Sequence, residues 1–223
     1  MALLLAGCAG SNVDKEKAQK DYKQSLSDSI ALCRQQMDSC ENRLKTLTDN
    51  VNEWMRDFTV VSNPREVESY YIYNGWQNKY PLQSTGVVAR ISNGEKLELI
   101  AALKNSTFNS LRVESAGQSA ETAIVPHDQA LNYRREGINT VMFSGKEADA
   151  VAQLIADNEL NPIRVVYLEN GKVKSSWQMP ENYKKNVSAT WMLYSSRMEQ
   201  MRLEGYQHLL SRKIDLFRAH KDK

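Results

Sequence analysis

The feature that most constrains this chain is one uninterrupted seam of apolar residues near its start. They fall at Leu26, Ile30, Cys33, Met37, Cys40, Leu44, Leu47, Val51, Trp54 and Phe58, in steps that alternate four and three. That alternation is the a/d seam of a heptad repeat, and the residues between are Arg, Gln, Asp, Glu, Lys and Asn, as a solvated face requires. A helix lying on a globular core would carry a wider apolar stripe. The seam therefore predicts a coiled-coil helix over 21–63. Pro64 is expected to end it, because the residue before a proline is pushed out of the α region.

A second long helix is expected over 180–223, with Pro180 suited to its first turn. Its apolar residues run Val187, Trp191, Tyr194, Met198 and Met201, then resume in a shifted register at Leu203, Tyr206, Leu210, Ile214 and Phe217. The shift, near Gly205, predicts an amphipathic helix and not a strict heptad. Each helix spans roughly 40–45 residues, or ~60–68 Å at ~1.5 Å per residue. Matched lengths on either side of one insert predict an antiparallel hairpin with the insert at its tip.

The rival arrangement is a parallel homodimer along the first helix. Cys33 and Cys40 lie ~10.5 Å apart along one helix axis, too far to bridge each other. The second helix has no Cys, so a disulfide between the two helices is excluded. In a parallel dimer both thiols would face their symmetry mates. In the hairpin they are small buried core residues.

The insert, 64–179, reads as strands. A three-residue loop of Asn93, Gly94 and Glu95 would pair Ile91 with Leu97, Ala89 with Leu99 and Val87 with Ala101, placing all six on one face. A two-residue loop would set Ile91 against Lys96. At Asn170-Gly171 a two-residue turn suits better, pairing Leu168 with Val173 and Glu169 with Lys172. Further strands are expected at Tyr70–Tyr73, Leu111–Ser115, Ala120–Val125 and Thr140–Phe143. One helix interrupts them: Ser144-Gly145-Lys146-Glu147 fits a capping box, and Ala148, Val151 and Ile155 form its inner stripe. The fold class is thus α+β, with long terminal helices in a coiled-coil-like hairpin and an antiparallel β domain that carries one helix.

The first residues carry a different signal. Leu5-Ala6-Gly7-Cys8 is followed at once by the polar Ser11, Asn12 and Asp14. This run resembles the lipobox of bacterial lipoproteins. The resemblance implies that the Cys8 thiol is acylated, that the peptide before it is removed, and that the protein stays membrane-bound by its lipid. No Lys or Arg precedes Cys8 and the apolar run is only Ala2 to Ala6. A secretory signal has a positive start and about 7–15 apolar residues, so its beginning is expected upstream. Residues 1–8 are then the end of the signal and 9–20 a tether. No later stretch approaches the ~20 apolar residues of a membrane-spanning helix. The whole chain also resembles coiled-coil envelope lipoproteins of Gram-negative bacteria, which implies this architecture at the outer membrane more than the inner, and no particular activity.

The search for chemistry is less productive. Charged residues make up 25% with a net charge of +2, too balanced for a nucleic-acid partner. The three cysteines have no zinc-site spacing, and no metal or cofactor is expected. The histidines are His127, His208 and His220, and no H-E-x-x-H, P-loop or G-x-S-x-G is present. His127-Asp128 could serve a hydrolase, but neighbours in sequence usually point apart and no nucleophile motif accompanies them. The expectation is a protein without a catalytic site.

Two surfaces are candidates for binding. Tyr70, Tyr71, Tyr73, Trp76 and Tyr80 follow the first helix closely, and flat amphipathic rings suit stacking on sugars or filling a partner's pocket. They equally suit a β core. Arg212, Lys213, Arg218 and Lys221 crowd the end of the second helix. Such cations complement the helix dipole, and in the hairpin they would return near the lipid anchor and its anionic headgroups. The reading is a lipid-anchored envelope protein that presents a β domain to a protein, glycan or cell-wall partner.

Overall fold

The computed structural model describes residues 12–62 and 68–222, so Cys8, Pro64 and Lys223 lie outside it. The protein is α+β, with a long N-terminal helix, a long C-terminal helix packed against it, and antiparallel sheets. It divides into two compact units, one of Met1–Thr46 with Gln200–Lys223 and the other of Leu47–Glu199.

Helix α1 runs Asn12–Trp54. From Asn12 on it is helical where the expected tether over 9–20 would still run, and it stops before Phe58. A 3-10 turn, Met55–Asp57, leads straight into strand β1, Phe58–Ser62. The seam spacing continues by coincidence through Phe58. The β-branched run Thr59-Val60-Val61 prefers a pleated surface, and Phe58 pairs with Tyr73 on the next strand. Within α1 the seam positions are the covered ones, with Leu26, Ile30, Cys33, Cys40, Leu47 and Val51 buried and Met37, Leu44 and Trp54 half-buried.

Helix α3, Glu181–Lys221, passes through Gly205 without a break. In the first unit its Leu210 and Ile214 cluster with Ile30 and Cys33 of α1, flanked by Met37 and Phe217. The Tyr206 hydroxyl lies 3.2 Å from Oε1 of Gln36. Cys33 and Cys40 are free, buried thiols. Met201 and Tyr206, placed on the apolar stripe by their spacing, are exposed.

The second unit holds two sheets. One has six strands in the order β1-β2-β3-β4-β8-β7, and every pairing in it is antiparallel. Its later members are β2 (Ser69–Tyr73), β3 (Gly86–Ser92), β4 (Lys96–Lys104), β7 (Asn132–Arg135) and β8 (Ile138–Phe143). The other is β10-β9-β5-β6, from β5 (Ser110–Ser115), β6 (Gln118–Glu121), β9 (Arg164–Glu169) and β10 (Lys172–Gln178). The β3–β4 loop is the three residues 93–95, with Ile91 opposite Leu97, Ala89 opposite Leu99 and Val87 opposite Ala101. Across the Asn170-Gly171 turn, Leu168 faces Val173 and Glu169 faces Lys172. Asn170 and Gly171 both take positive φ, as a tight hairpin turn demands.

Two local expectations are corrected, and one strand is added. The strand over Ala120–Val125 is β6, Gln118–Glu121, because at Thr122 the side-chain Oγ1 takes the Leu111 N–H and the ladder ends. Strand β7 is too short and polar to stand out in sequence. The capping box at Ser144 does not form: Gly145, at φ 90°, is the N-cap of α2 (Lys146–Asp157), and no side chain caps it. Glu147 and Asp149 in its first turn favour the positive end of the helix dipole.

One core joins both sheets. Val87, Leu99 and Phe143 of the first meet Leu111, Val165 and Tyr167 of the second, with Val151 and Ile155 of α2 and Val187 of α3. Burying a side chain of this size stabilises by about 1.5–3 kcal/mol. Inward-facing strand residues and the α2 stripe together therefore dominate the stability of this unit.

Candidate functional site: an aromatic groove on the six-stranded sheet

Alternation along the strands gives the six-stranded sheet a second face. Register places Tyr70 and Ile72, Val88 and Arg90, Glu98 and Ile100, Thr140 and Met142, and Tyr133 and Arg135 on the side away from the shared core. The chain between β2 and β3 folds over part of this face, where Trp76 and Leu82 join Ile72, Val88, Ile100 and Ile138 in a separate apolar cluster. What it leaves uncovered is a groove of two adjoining hollows, about 240 and 420 Å³, that share Pro81, Tyr133 and Thr140.

Arg90 organises the groove. Its Nε is 2.8 Å from Oε2 of Glu98, and its guanidinium lies 3.7 Å from the Tyr70 ring centroid. Its Nη2 is 3.8 Å from the Met142 sulfur. Stacked and paired in this way, the cation is held flat against the sheet, and the Tyr70 ring is fixed from behind. The Tyr70 hydroxyl donates to Glu68 Oε2 at 2.7 Å. Rigid rings with satisfied polar tips bind at a low cost in conformational entropy.

Tyr80 is fixed differently. Strand β2 pairs with β3 only at Tyr70–Ser92 and Tyr71–Ile91, so it does not reach Ala89. Side chains replace the missing rungs: the Tyr80 hydroxyl donates to the Ala89 carbonyl at 3.0 Å, and the Ala89 N–H donates to Asn186 Oδ1 at 2.7 Å. Burial pushes the Tyr80 phenol well above its ordinary pKa, while nearby Arg90 pulls it part of the way back.

The five candidate aromatics are therefore divided. Tyr70 and Tyr80 line the groove. Trp76 is 5% exposed, packed edge-on to Tyr183 at 4.8 Å with the Lys79 ammonium 4.5 Å from its ring, and works as a core residue. Tyr71 and Tyr73 are on the opposite face, Tyr71 under the Arg197 guanidinium at 5.3 Å and Tyr73 edge-on to Phe58 at 5.6 Å. Tyr133, Arg90 and Pro81 were missed in the sequence. Tyr133 sits in a four-residue strand, and only sheet register brings it opposite Thr140.

His127 and Asp128 have separate partners. His127 Nε2 is 3.2 Å from Oε1 of Glu169, while Asp128 Oδ1 accepts from the backbone N–H groups of Leu131, Asn132 and Ala130. Those three bonds hold the Asp128 carboxyl below its usual range and make it a turn-capping residue. Among the described residues no group of three or more His, Cys, Asp or Glu could hold a metal ion. No helix among the described residues is long and apolar enough to cross a membrane.

In the first unit Arg212, Lys213, Arg218 and Lys221 are all exposed on the last turns of α3, with Arg218 paired to Asp215 at 3.6 Å. Arg218 and Lys221 share a hollow of about 320 Å³ with Arg34. No family model matches the chain, and neither a curated protein nor a solved structure does, so its function has to be read from these residues alone.

Proposed function

We propose that this is a non-enzymatic envelope protein, lipid-anchored at Cys8, whose β domain binds a protein, glycan or cell-wall partner through the groove on the six-stranded sheet. In this reading α1 and α3 form an antiparallel coiled-coil-like hairpin, and the β domain with its one helix is inserted at the tip. The observation that carries the binding role is the groove itself, where the rings of Tyr70, Tyr80 and Tyr133 surround Arg90 and Thr140. Ring faces stack on the apolar faces of sugars or receive a partner's side chains, and the Thr140 hydroxyl and the Arg90–Glu98 pair supply directional bonds.

A photo-crosslinking residue in place of Arg135, on the exposed rim, tests this in intact cells. Capture of one protein or a peptidoglycan fragment is expected, with the yield reduced roughly threefold to tenfold by Tyr133→Ala. A yield that Tyr133→Ala leaves unchanged would remove the groove from the account. Palmitate labelling lost in Cys8→Ala supports the anchor, and unchanged labelling removes it. If the basic end of α3 meets anionic headgroups, the unanchored chain binds anionic vesicles in a salt-sensitive way. A parallel homodimer through α1 would compete with α3 for the seam around Ile30 and Cys33, so a monomeric mass in solution favours the hairpin.

A further inference from the structure

A sheet edge exposes a row of backbone donors and acceptors, and proteins blunt such edges with charge, bulges, short strands or covering elements. Three of the four edges here are blunted. Strand β10 carries Lys172 and Lys174 and a bulge between Val173 and Ser175. Strand β7 is four residues long and ends in Arg134 and Arg135. Strand β6 is also four residues long, and α2 packs on it. The fourth edge, β1, is Phe58-Thr59-Val60-Val61-Ser62, with no charge, no proline and an unbroken register.

The direction of its free groups follows from the ladder. The Asn74 N–H donates to the Asp57 carbonyl at 2.8 Å, so the bonded pairs are Asp57–Asn74, Thr59–Ile72 and Val61–Tyr70. The N–H and C=O of Val60 therefore point away from β2, and its side chain is 52% exposed.

At the Phe58 end of this edge lies a cleft of about 360 Å³. Trp54, Phe58, Tyr73, Ala189 and Met192 are its apolar lining; Asp57, Glu159 and Lys185 line its charged side, and Ser188 lies in it too. Ser188 is 3% exposed, and its hydroxyl has no hydrogen-bond partner among the described residues. A buried hydroxyl left in that condition marks a place where a polar group is wanted. One wall is stiff: buried Lys184 donates to the carbonyls of Glu159 and Asn161 at 3.0 and 2.8 Å, fastening the turn that contributes Glu159 to the cleft.

The geometry points to β1 as a docking edge for an extended segment of a partner polypeptide, which adds one strand to the six-stranded sheet and sends a tyrosine-like side chain into the cleft beside Ser188. An extended chain satisfies both outward groups of Val60 and continues the ladder along the strand. The added residue opposite Phe58 carries its side chain on the same face as Phe58, the face that looks into the cleft. An aromatic body suits Trp54, Phe58, Tyr73 and Met192, and a hydroxyl tip suits Ser188. This surface is separate from the groove, which lies on the other face of the sheet, so either can fail without the other.

The probe is a capped peptide of sequence Thr-Val-Thr-Tyr-Thr-Val-Thr, titrated into the full chain by calorimetry and followed by amide exchange at Val60. Binding is expected, about tenfold weaker when the central Tyr becomes Ala, together with protection of the Val60 amide. Val60→Pro removes the outward N–H at an edge position where proline is tolerated, and should weaken binding by about tenfold or more. Met192→Lys, on the exposed wall, should do the same and decides the matter if the proline variant does not fold. No binding up to about 1 mM, or binding that Met192→Lys leaves unchanged, overturns the proposal. So does a dimer of the free chain whose Val60 amide is already protected, because β1 would then be filled by a second copy.

Discussion

The residues that hold the second unit together most specifically are asparagines. Asn139 is fully buried; its Oδ1 accepts the Phe108 N–H at 2.8 Å, and its Nδ2 donates to Asn132 Oδ1 at 2.9 Å and the Tyr133 carbonyl at 3.0 Å. Asn132 passes the network on, donating to the carbonyls of Val125 and Phe108. Two side chains thereby stitch the segments at Phe108 and Val125 to the β7–β8 pair, and they help set the position of Tyr133 beside the groove. A buried polar group left without its partner costs about 1–3 kcal/mol, and Asn139→Ala strands several. We expect a loss of about 2–4 kcal/mol, seen as a lower urea midpoint with an unchanged slope. A change within about 0.5 kcal/mol would mean that the network is dispensable. Nothing in the sequence marks Asn132 and Asn139 as buried, since asparagine is usually read as a turn residue.

Among the elements, those with a local period were legible and those without were not. The α1 seam and the two Asn-Gly hairpins were readable because side-chain spacing and turn chemistry are local properties. The end of α1 was not, because the next buried residue, Phe58, falls in the helical register although it belongs to β1. The inner face of early α3 was legible only in part: Val187, Trp191 and Tyr194 of its stripe pack on the shared core, but Asn186, Thr190 and Leu193 are buried there too. The groove was half legible. Tyr70 and Tyr80 stand out in composition, but Arg90 and Tyr133 join them only through register between strands distant in sequence. Gly86, which opens β3, shows how closely the elements fit. A Cβ there would sit 2.6 Å from Cε1 of Tyr183. That α3 ring packs edge-on against both Trp76 at 4.8 Å and Trp177 at 5.0 Å. Gly86→Ala should therefore displace Tyr183 and destabilise by about 1–3 kcal/mol, with a change in tryptophan fluorescence. Unchanged fluorescence and stability would show that the ring has room to yield.

At the scale of the whole molecule, two buried phenols couple folding to alkaline pH. Burial pushes the pKa of both Tyr80 and Tyr167 well above the ordinary value of 10.0. The folded chain thus keeps protons that the unfolded chain would release. The stability this contributes is fully present below the unfolded value, and it is lost as pH rises from there through the raised values. An alkaline titration should show these two tyrosines ionising only together with the loss of circular dichroism. Complete tyrosinate formation in a still-folded chain would contradict this.

The sparse pairing between β2 and β3 has a mechanical meaning. Apart from the bonds between Ser69 and Asn93, two residue pairs are all that join the β1–β2 ribbon to β3 in the ladder. A pull transmitted along α1 enters the sheet through β1, which follows it in the chain, and so loads that short join before the long β3–β4 and β4–β8 ladders. Under tension the ribbon would peel first, as a fuse that yields while the rest of the sheet stays closed.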